Sequence, residues 1–202
     1  MVIASHVIFS AYCFWLPNDP RGSWSTFVGS LDLFLAAGKA TKVETSRSLA
    51  GRPHDADKRR EAKSELQRPA VTFSGRQALE IGRGFGQFAQ RNGVTVLACA
   101  IMPDHVHLVL ARHRYKVEQL VTLLKGAASR QLVSSGLHPF RDLAVDGERI
   151  PTCWAREEWK VFLDSAEDLE RAIRYVEMNP VRQGLKRQYW SFVGAGARGP
   201  LP

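Results

Sequence analysis

The densest chemistry in the chain lies in Pro103-Asp104-His105-Val106-His107-Leu108-Val109-Leu110. Side chains alternate across a strand, so His105 and His107 project from one face, while Val106, Leu108 and Leu110 project from the other, toward covering helices. Two imidazoles about 7 Å apart along a strand, at roughly 3.3 Å per residue, can converge on one divalent cation. The same spacing also suits two half-exposed polar residues on a solvated sheet face. A second set lies in Ile173-Arg174-Tyr175-Val176-Glu177-Met178-Asn179-Pro180. On a helix Leu169, Ala172, Ile173 and Val176 share one apolar stripe, with Tyr175 and Asn179 one turn apart at its side. A tyrosine placed there can bury its ring edge and still present its hydroxyl, and Asn179 can offer an amide oxygen to the same space. A rim tyrosine and a C-terminal Asn cap would share that pattern. Together, two imidazoles and an amide oxygen are three ligands for a hard or borderline cation, with positions left for phosphate oxygens and water. Such a cation polarises a scissile phosphate. A phenol, of pKa about 10 in water, becomes a nucleophile if its proton is lost nearby, and its attack on phosphorus leaves a covalent phosphotyrosine.

The elements that would hold these groups are legible as an alternation of strands and helices. Residues 6 to 15 are β-branched and aromatic and stop at the turn formers of Leu16-Pro17-Asn18-Asp19-Pro20-Arg21-Gly22, which predicts a first strand. Ser74 and Gln77 can cap a helix with Ala78, Leu79, Ile81, Phe85 and Phe88 on its apolar side, running to about Arg91 and ended by Asn92-Gly93. Val94 to Ile101 and His105 to Ala111 read as an antiparallel pair broken at Met102-Pro103-Asp104. A helix from about Val117 to Ser134 follows, closed by Gly136 and Pro139. Trp159 to Leu163 reads as a fourth strand. Asp164 to Asp168 then caps a last helix, expected to end near Asn179 because Pro180 follows. The order β-α-β-β-α-β-α matches an α+β, ferredoxin-like or RRM-like antiparallel sheet with one added helix. No internal repeat is present.

Length and composition bound the rest. A chain of 202 residues predicts one domain, 1–202, with at most one large insertion. Residues 39–68 hold nine Lys/Arg against five Asp/Glu and so carry half of the net charge of +8. They read as that insertion, either solvated, with a short helix around 57–66, or contacting phosphate. A short C-terminal tail is expected at about 194–202. The pI near 9.8 favours a polyanionic partner, nucleic acid first and an anionic membrane surface second. Hydrophobic residues at 45% exclude wholesale disorder. No stretch approaches the roughly 18 apolar residues that cross a bilayer, and the opening lacks a signal-peptide pattern, so a cytoplasmic protein without a membrane partner is expected. Cys13, Cys99 and Cys153 lack CxxC spacing and read as reduced, mostly buried thiols.

The motifs resemble those of the HUH single-tyrosine transposases, and among them the REP-associated tyrosine transposase (RAYT) branch. The resemblance rests on Met102-Pro103-Asp104-His105-Val106-His107-Leu108-Val109-Leu110 and on Tyr175-Val176-Glu177-Met178-Asn179-Pro180-Val181-Arg182-Gln183-Gly184-Leu185. Leu124-Lys125-Gly126 and Trp15-Leu16-Pro17-Asn18-Asp19-Pro20-Arg21-Gly22 add to it, in the expected order and across residues 6 to 193. The resemblance implies that His105 and His107 bind the metal, that Tyr175 is the nucleophile, and that Asn179 stands where relatives place a Gln or Asn ligand. It implies cleavage of single-stranded DNA beside a hairpin, a 5′-phosphotyrosine, a released 3′-hydroxyl, and Mg²⁺ or Mn²⁺ as cofactor. Of the four tyrosines, Tyr12 lies in a predicted strand, Tyr115 in a basic turn and Tyr189 in the tail, which leaves Tyr175 as the helical one beside an oxygen ligand. The insertion is longer than compact members have, and Ala127-Ala128-Ser129-Arg130 stands where many relatives carry aromatic residues. Members differ in whether the tyrosine helix acts within its own chain or is exchanged across a dimer, so a homodimer is among the expected partners.

Arg112, Arg114, Tyr115 and Lys116, just past the histidine strand, place three cations and a stackable ring close to the proposed metal, as a phosphate backbone and an unpaired base would require. A solvated turn is the other reading. Lys125 and Arg130 on the middle helix, and Arg182, Lys186, Arg187 and Gln188 after the last one, are further candidates for DNA contact. Trp154, Trp159 and Trp190 fit packing better than base platforms. Two rival functions remain. One is a non-catalytic nucleic-acid-binding module on the same sheet, which would want aromatic residues on its central strands. The other is a zinc hydrolase built on His105, His107 and His113.

Overall fold

The computed structural model describes residues 1–23, 25–45, 49, 52–143 and 150–194. Its elements are β1 (Ala4–Ala11), α1 (Leu31–Ala37), α2 (Ala56–Ser64), α3 (Gly75–Asn92), β2 (Val96–Ile101), β3 (His105–Ala111), α4 (Val117–Ser134), β4 (Trp154–Leu163) and α5 (Ala166–Arg182). They fall into two compact units, one from residues 1–11 and 72–202, the other from 12–71. Beyond Gly194, the expected C-terminal tail lies outside the described residues.

The larger unit is the expected α+β fold. Its four strands run in the order β2-β3-β1-β4 with every neighbouring pair antiparallel, the ferredoxin-like arrangement. Met102-Pro103-Asp104 makes the β2–β3 connection, with the Met102 N–H donating to the His105 carbonyl at 2.8 Å. On one face Val7 and Phe9 lie opposite Leu108 and Val106, and Phe9 meets Phe85 of α3 edge to face. On the other, α5 lays Leu169, Ala172 and Val176 over Ala4, Ala98, Ala100, Met102, Val109 and Leu163. Burying each of the larger aliphatic side chains is worth about 1.5–3 kcal/mol, and the small alanines let the helix sit low on the strands.

Local signals set the helix ends. Ser74 and Gln77 form the expected capping box on α3, and Gly93 closes it in a left-handed conformation at φ 67°. A Cβ on Gly84 would stand 2.9 Å from the Ala127 carbonyl oxygen and 3.0 Å from Ala128 Cα. The missing Cβ of Gly84 is therefore what lets α3 approach the α4 backbone at Ala127-Ala128. After α5 the chain runs back beside the β2 edge, where the Gln188 amide accepts from the Ile101 N–H at 2.8 Å and donates to its carbonyl at 2.7 Å. That covers one end of an open edge strand.

Three boundaries differ from expectation by three residues or more. β1 stops at Ala11 instead of continuing to Trp15, because the backbone turns at Cys13, which adopts φ 57°. β4 begins at Trp154 rather than Trp159, since pairing with β1 extends from Ala4↔Leu163 to Ala11↔Trp154. Its charged Arg156-Glu157-Glu158 stretch reads as loop by composition but belongs to an edge strand, where charge is tolerated. α5 passes through Pro180 to Arg182: proline removes a single N–H in the last turn, and the carbonyls of Asn179, Pro180 and Val181 find donors in Gln183, Leu185 and Gly184.

The smaller unit contains the charged stretch 39–68. It holds α1, which sequence periodicity did not reveal because it makes only two turns, between a Ser30 cap and Gly38. α2 lies close to its expected place. Leu16, Leu33, Ala37 and Ala62 form its core, and Asp19, fully buried, accepts from Arg21 Nε and Nη2 at 2.8 Å each and from Arg59 Nε at 3.1 Å. No helix among the described residues is long and apolar enough to cross a membrane.

Candidate active site

Strand parity delivers the two histidines to the face under α5. His105 and His107 point the same way as Val109, and the pairing Ile8↔His107↔Ala100 places His107 in the middle of the sheet, 2% exposed. The Nε2 atoms of His105 and His107 stand 2.9 Å apart. His105 Nδ1 lies 2.5 Å from Asp104 Oδ1, an orienting carboxylate from the preceding residue. α5 brings the other half: Asn179, 6% exposed, sets its amide nitrogen 2.9 Å from His107 Nε2, and Gln183 Nε2 donates to Asn179 Oδ1 at 3.4 Å. Tyr175, 37% exposed, stands edge-on to His107 with ring centroids 5.6 Å apart, and the Arg182 guanidinium lies over its ring at 5.5 Å. Four residues singled out from sequence thus meet in one pocket within one chain.

A fifth was missed. His6 of β1 is buried, with its Nε2 3.2 Å from His107 Nδ1 and its ring edge-on to both Tyr175 and Trp159. Alternation along β1 puts His6 on the same side as Ile8, but only the β1–β3 register tells which side that is. Burial lowers the His6 pKa to about 4. Burial first, and then the neighbouring His105 and His6, hold His107 well below the usual histidine range. Both rings are neutral at neutral pH, and a neutral imidazole has a lone pair for a cation. Among the described residues no group of three His, Cys, Asp or Glu side chains converges as a metal site. The convergent set here is two imidazoles and one amide, which suits a divalent cation with positions left open.

The expected nucleic-acid residues are dispersed. Arg112, Arg114 and Lys116 are exposed, with Arg114 over the Tyr115 ring at 5.0 Å. They follow the far end of β3 from His105, so Arg112 is about 17 Å along the strand from His107, at roughly 3.3 Å per residue, rather than close to it. Lys125 is buried, its ammonium donating to the carbonyls of Ala155 and Arg156 at 3.1 Å each and of Glu157 at 3.5 Å. That engagement ties α4 to β4 and takes Lys125 out of the set able to reach a phosphate. Arg130 is exposed on α4. Arg182 and Lys186 are exposed beyond Tyr175, and Arg187 pairs with Glu177 at 2.6 Å. Gln188 is committed to Ile101, and so is not a stem contact. Trp154 packs against Phe9 and Phe73, and Trp190 rests on Gly82. His113 has its Nε2 3.2 Å from the Asn92 carbonyl and its Nδ1 accepting from Tyr115 N–H, so it does not join the histidine pair as a zinc hydrolase would need.

No curated protein matches the chain significantly. Among solved structures it is similar to a REP-associated tyrosine transposase bound to a REP hairpin, at 12% identity over 99% of this chain and 82% of that one, TM-score 0.48. It is also similar to a protein from Deinococcus radiodurans R1 assigned as a transposase, at 17% identity over 88% and 90%, TM-score 0.38. A profile of the family described as "Transposase IS200 like" matches residues 67–179, more than half of the chain, from the approach to α3 through His105, His107 and Tyr175 to Asn179. On that match, the chain belongs to the IS200-like transposase family.

Proposed function

We propose that this protein nicks and rejoins single-stranded DNA beside hairpins, with Tyr175 as nucleophile acting within its own chain. The observation that carries the reading is the meeting of Tyr175, Asn179, His105 and His107 in one pocket, with His107 touching both α5 residues. Tyr175 Oη attacks the phosphorus and loses its proton, the bond from phosphorus to the 3′ oxygen breaks, and that oxygen takes up a proton. The products are a 5′-phosphotyrosine and a 3′-hydroxyl, and a second 3′-hydroxyl reverses the step to rejoin a strand. A divalent cation, Mg²⁺ or Mn²⁺, held by His105, His107 and the Asn179 amide oxygen would supply charge neutralisation at the phosphate. Asn179 presents that oxygen by turning its amide half a revolution, and the Gln183 amide can turn with it, since either end of each can face the other. The exposed Arg182 beside Tyr175, with Lys186, Arg114, Lys116 and Arg130, would grip the backbone.

An RRM-like binding module would read bases on the open sheet face. Here α5 covers that face and a histidine pocket takes the place of aromatic platforms, which favours the enzyme. The test is to incubate full-length protein with labelled hairpin-bearing single-stranded DNA, with Mn²⁺ or with chelator. A denaturant-resistant protein–DNA adduct is expected only with metal, and none with Tyr175→Phe. An adduct that survives that substitution in a folded protein overturns the assignment.

A further inference from the structure

We infer that His6 is a positioning residue for His107, donating a hydrogen bond to it when the pair is bare and accepting one from it when a cation is held. The inference rests on reading His105, His107 and Asn179 as cation ligands.

Asp104 is an acceptor toward His105 Nδ1 at 2.5 Å, so His105 carries its proton on Nδ1 and its Nε2 is a bare lone pair. His107 Nε2 stands 2.9 Å from that lone pair. Two lone pairs at that distance repel, so in the metal-free protein His107 carries its proton on Nε2 and donates it to His105, and the Asn179 amide, whose nitrogen lies 2.9 Å from the same atom, turns its oxygen to that N–H instead. Its Nδ1 is then an acceptor, and the only proton His6 Nε2 can share with it across 3.2 Å is its own. Donors then run in one direction, from His6 to His107 to His105 to Asp104. To ligate a cation through Nε2, His107 must move its proton to Nδ1, and the partner there must become an acceptor. His6 serves by moving its own proton from Nε2 to Nδ1. No net proton enters or leaves.

A residue that can only donate, or that has no polar atom, serves one state or neither. The His6 ring is also well held: it lies nearly parallel to His107 at 22°, with Trp159 and Tyr175 edge-on at 5.7 Å each. A ring so fixed restricts the orientation of the His107 imidazole it touches.

Mn²⁺ titration of the full-length protein, followed by the free-Mn²⁺ resonance or by calorimetry, tests the role. His6→Leu, which fills the space without a polar atom, should weaken Mn²⁺ binding by about 10–100-fold, and His6→Gln, whose amide can donate or accept, should recover most of it. A mere packing role would predict the reverse order, since Leu is the better filler. Should His6→Leu not fold, ¹⁵N-histidine spectra of the wild type answer independently: on saturation with Mg²⁺ the His107 proton should pass from Nε2 to Nδ1 and His6 Nε2 should lose its proton. Unchanged Mn²⁺ affinity in folded His6→Leu, or a His6 Nε2 still protonated at saturation, overturns the inference while leaving the ligand set standing. A wild type that takes up neither ion overturns the ligand reading, and this inference with it.

Discussion

The Tyr175 ring meets the His107 ring at 70°, centroids 5.6 Å apart, so the helix that ends the fold and the strand at its centre share one pocket. The contact is made by ring carbons, which Tyr175→Phe keeps. That substitution should leave stability within about 0.5 kcal/mol, since Tyr175 is 37% exposed and its ring stays in place against the histidines, and leave DNA affinity intact. Adduct formation should fall below detection. Thermal melts and a gel-shift run beside the adduct assay separate loss of the nucleophile from loss of the fold.

Asp104 acts on the pair without belonging to it. Its carboxylate holds His105 Nδ1, and removing an orienting partner of this kind costs about 10–100-fold in metal affinity. Asp104→Ala should raise the Mn²⁺ concentration needed for half-maximal adduct by that factor, with the maximal extent of reaction at saturating Mn²⁺ largely retained. Asn179→Ala removes a ligand outright and should lower both.

The sheet order, the two flanking helices and four of the pocket residues were legible because they rest on strong local patterns: a strand that alternates His with aliphatic residues, and a helix stripe with Tyr175 and Asn179 beside it. His6 was not legible, because parity along β1 has no meaning until the register Ile8↔His107 is known. Lys125 misled for a related reason. A lysine on an amphipathic helix reads as exposed, yet the edge strand β4 turns three carbonyls toward it, and a sequence has no mark for carbonyl direction. The distance of Arg112 from the histidines was available from strand rise alone.

Lys125 and the exposed cations should therefore separate in experiment. Lys125→Met strips three β4 carbonyls of their donor and should destabilise the fold by about 1.5–3 kcal/mol, the range for hydrogen bonds to a charged group, with little change in the salt dependence of DNA binding. Arg114→Gln and Lys116→Gln should do the opposite, leaving stability alone and lowering the slope of log affinity against log salt by about one each. Chemical denaturation and salt titrations measured on the same preparations decide between the two roles.

Acid should unfold the metal-free protein in a window set by its buried histidines. Burial lowers the pKa of His6 to about 4, and lowers those of His107 and His138 as well. Each binds a proton less readily in the fold than in the unfolded chain, where it titrates near 6.5, so below about pH 6.5 the unfolded chain binds more protons and stability rises with pH. The stabilisation is complete above pH about 6.5 and is lost as pH falls toward 4. His6 alone accounts for a difference of about 3 kcal/mol across that range, at about 1.4 kcal/mol per pH unit. Denaturation midpoints in chelator should be flat above pH 7 and fall steadily from pH 6.5 to 4, and His6→Gln, which has no titrating ring, should flatten part of that fall. A wild-type midpoint independent of pH through this window would mean that these rings charge in place, and that the pocket admits more water than its burial indicates.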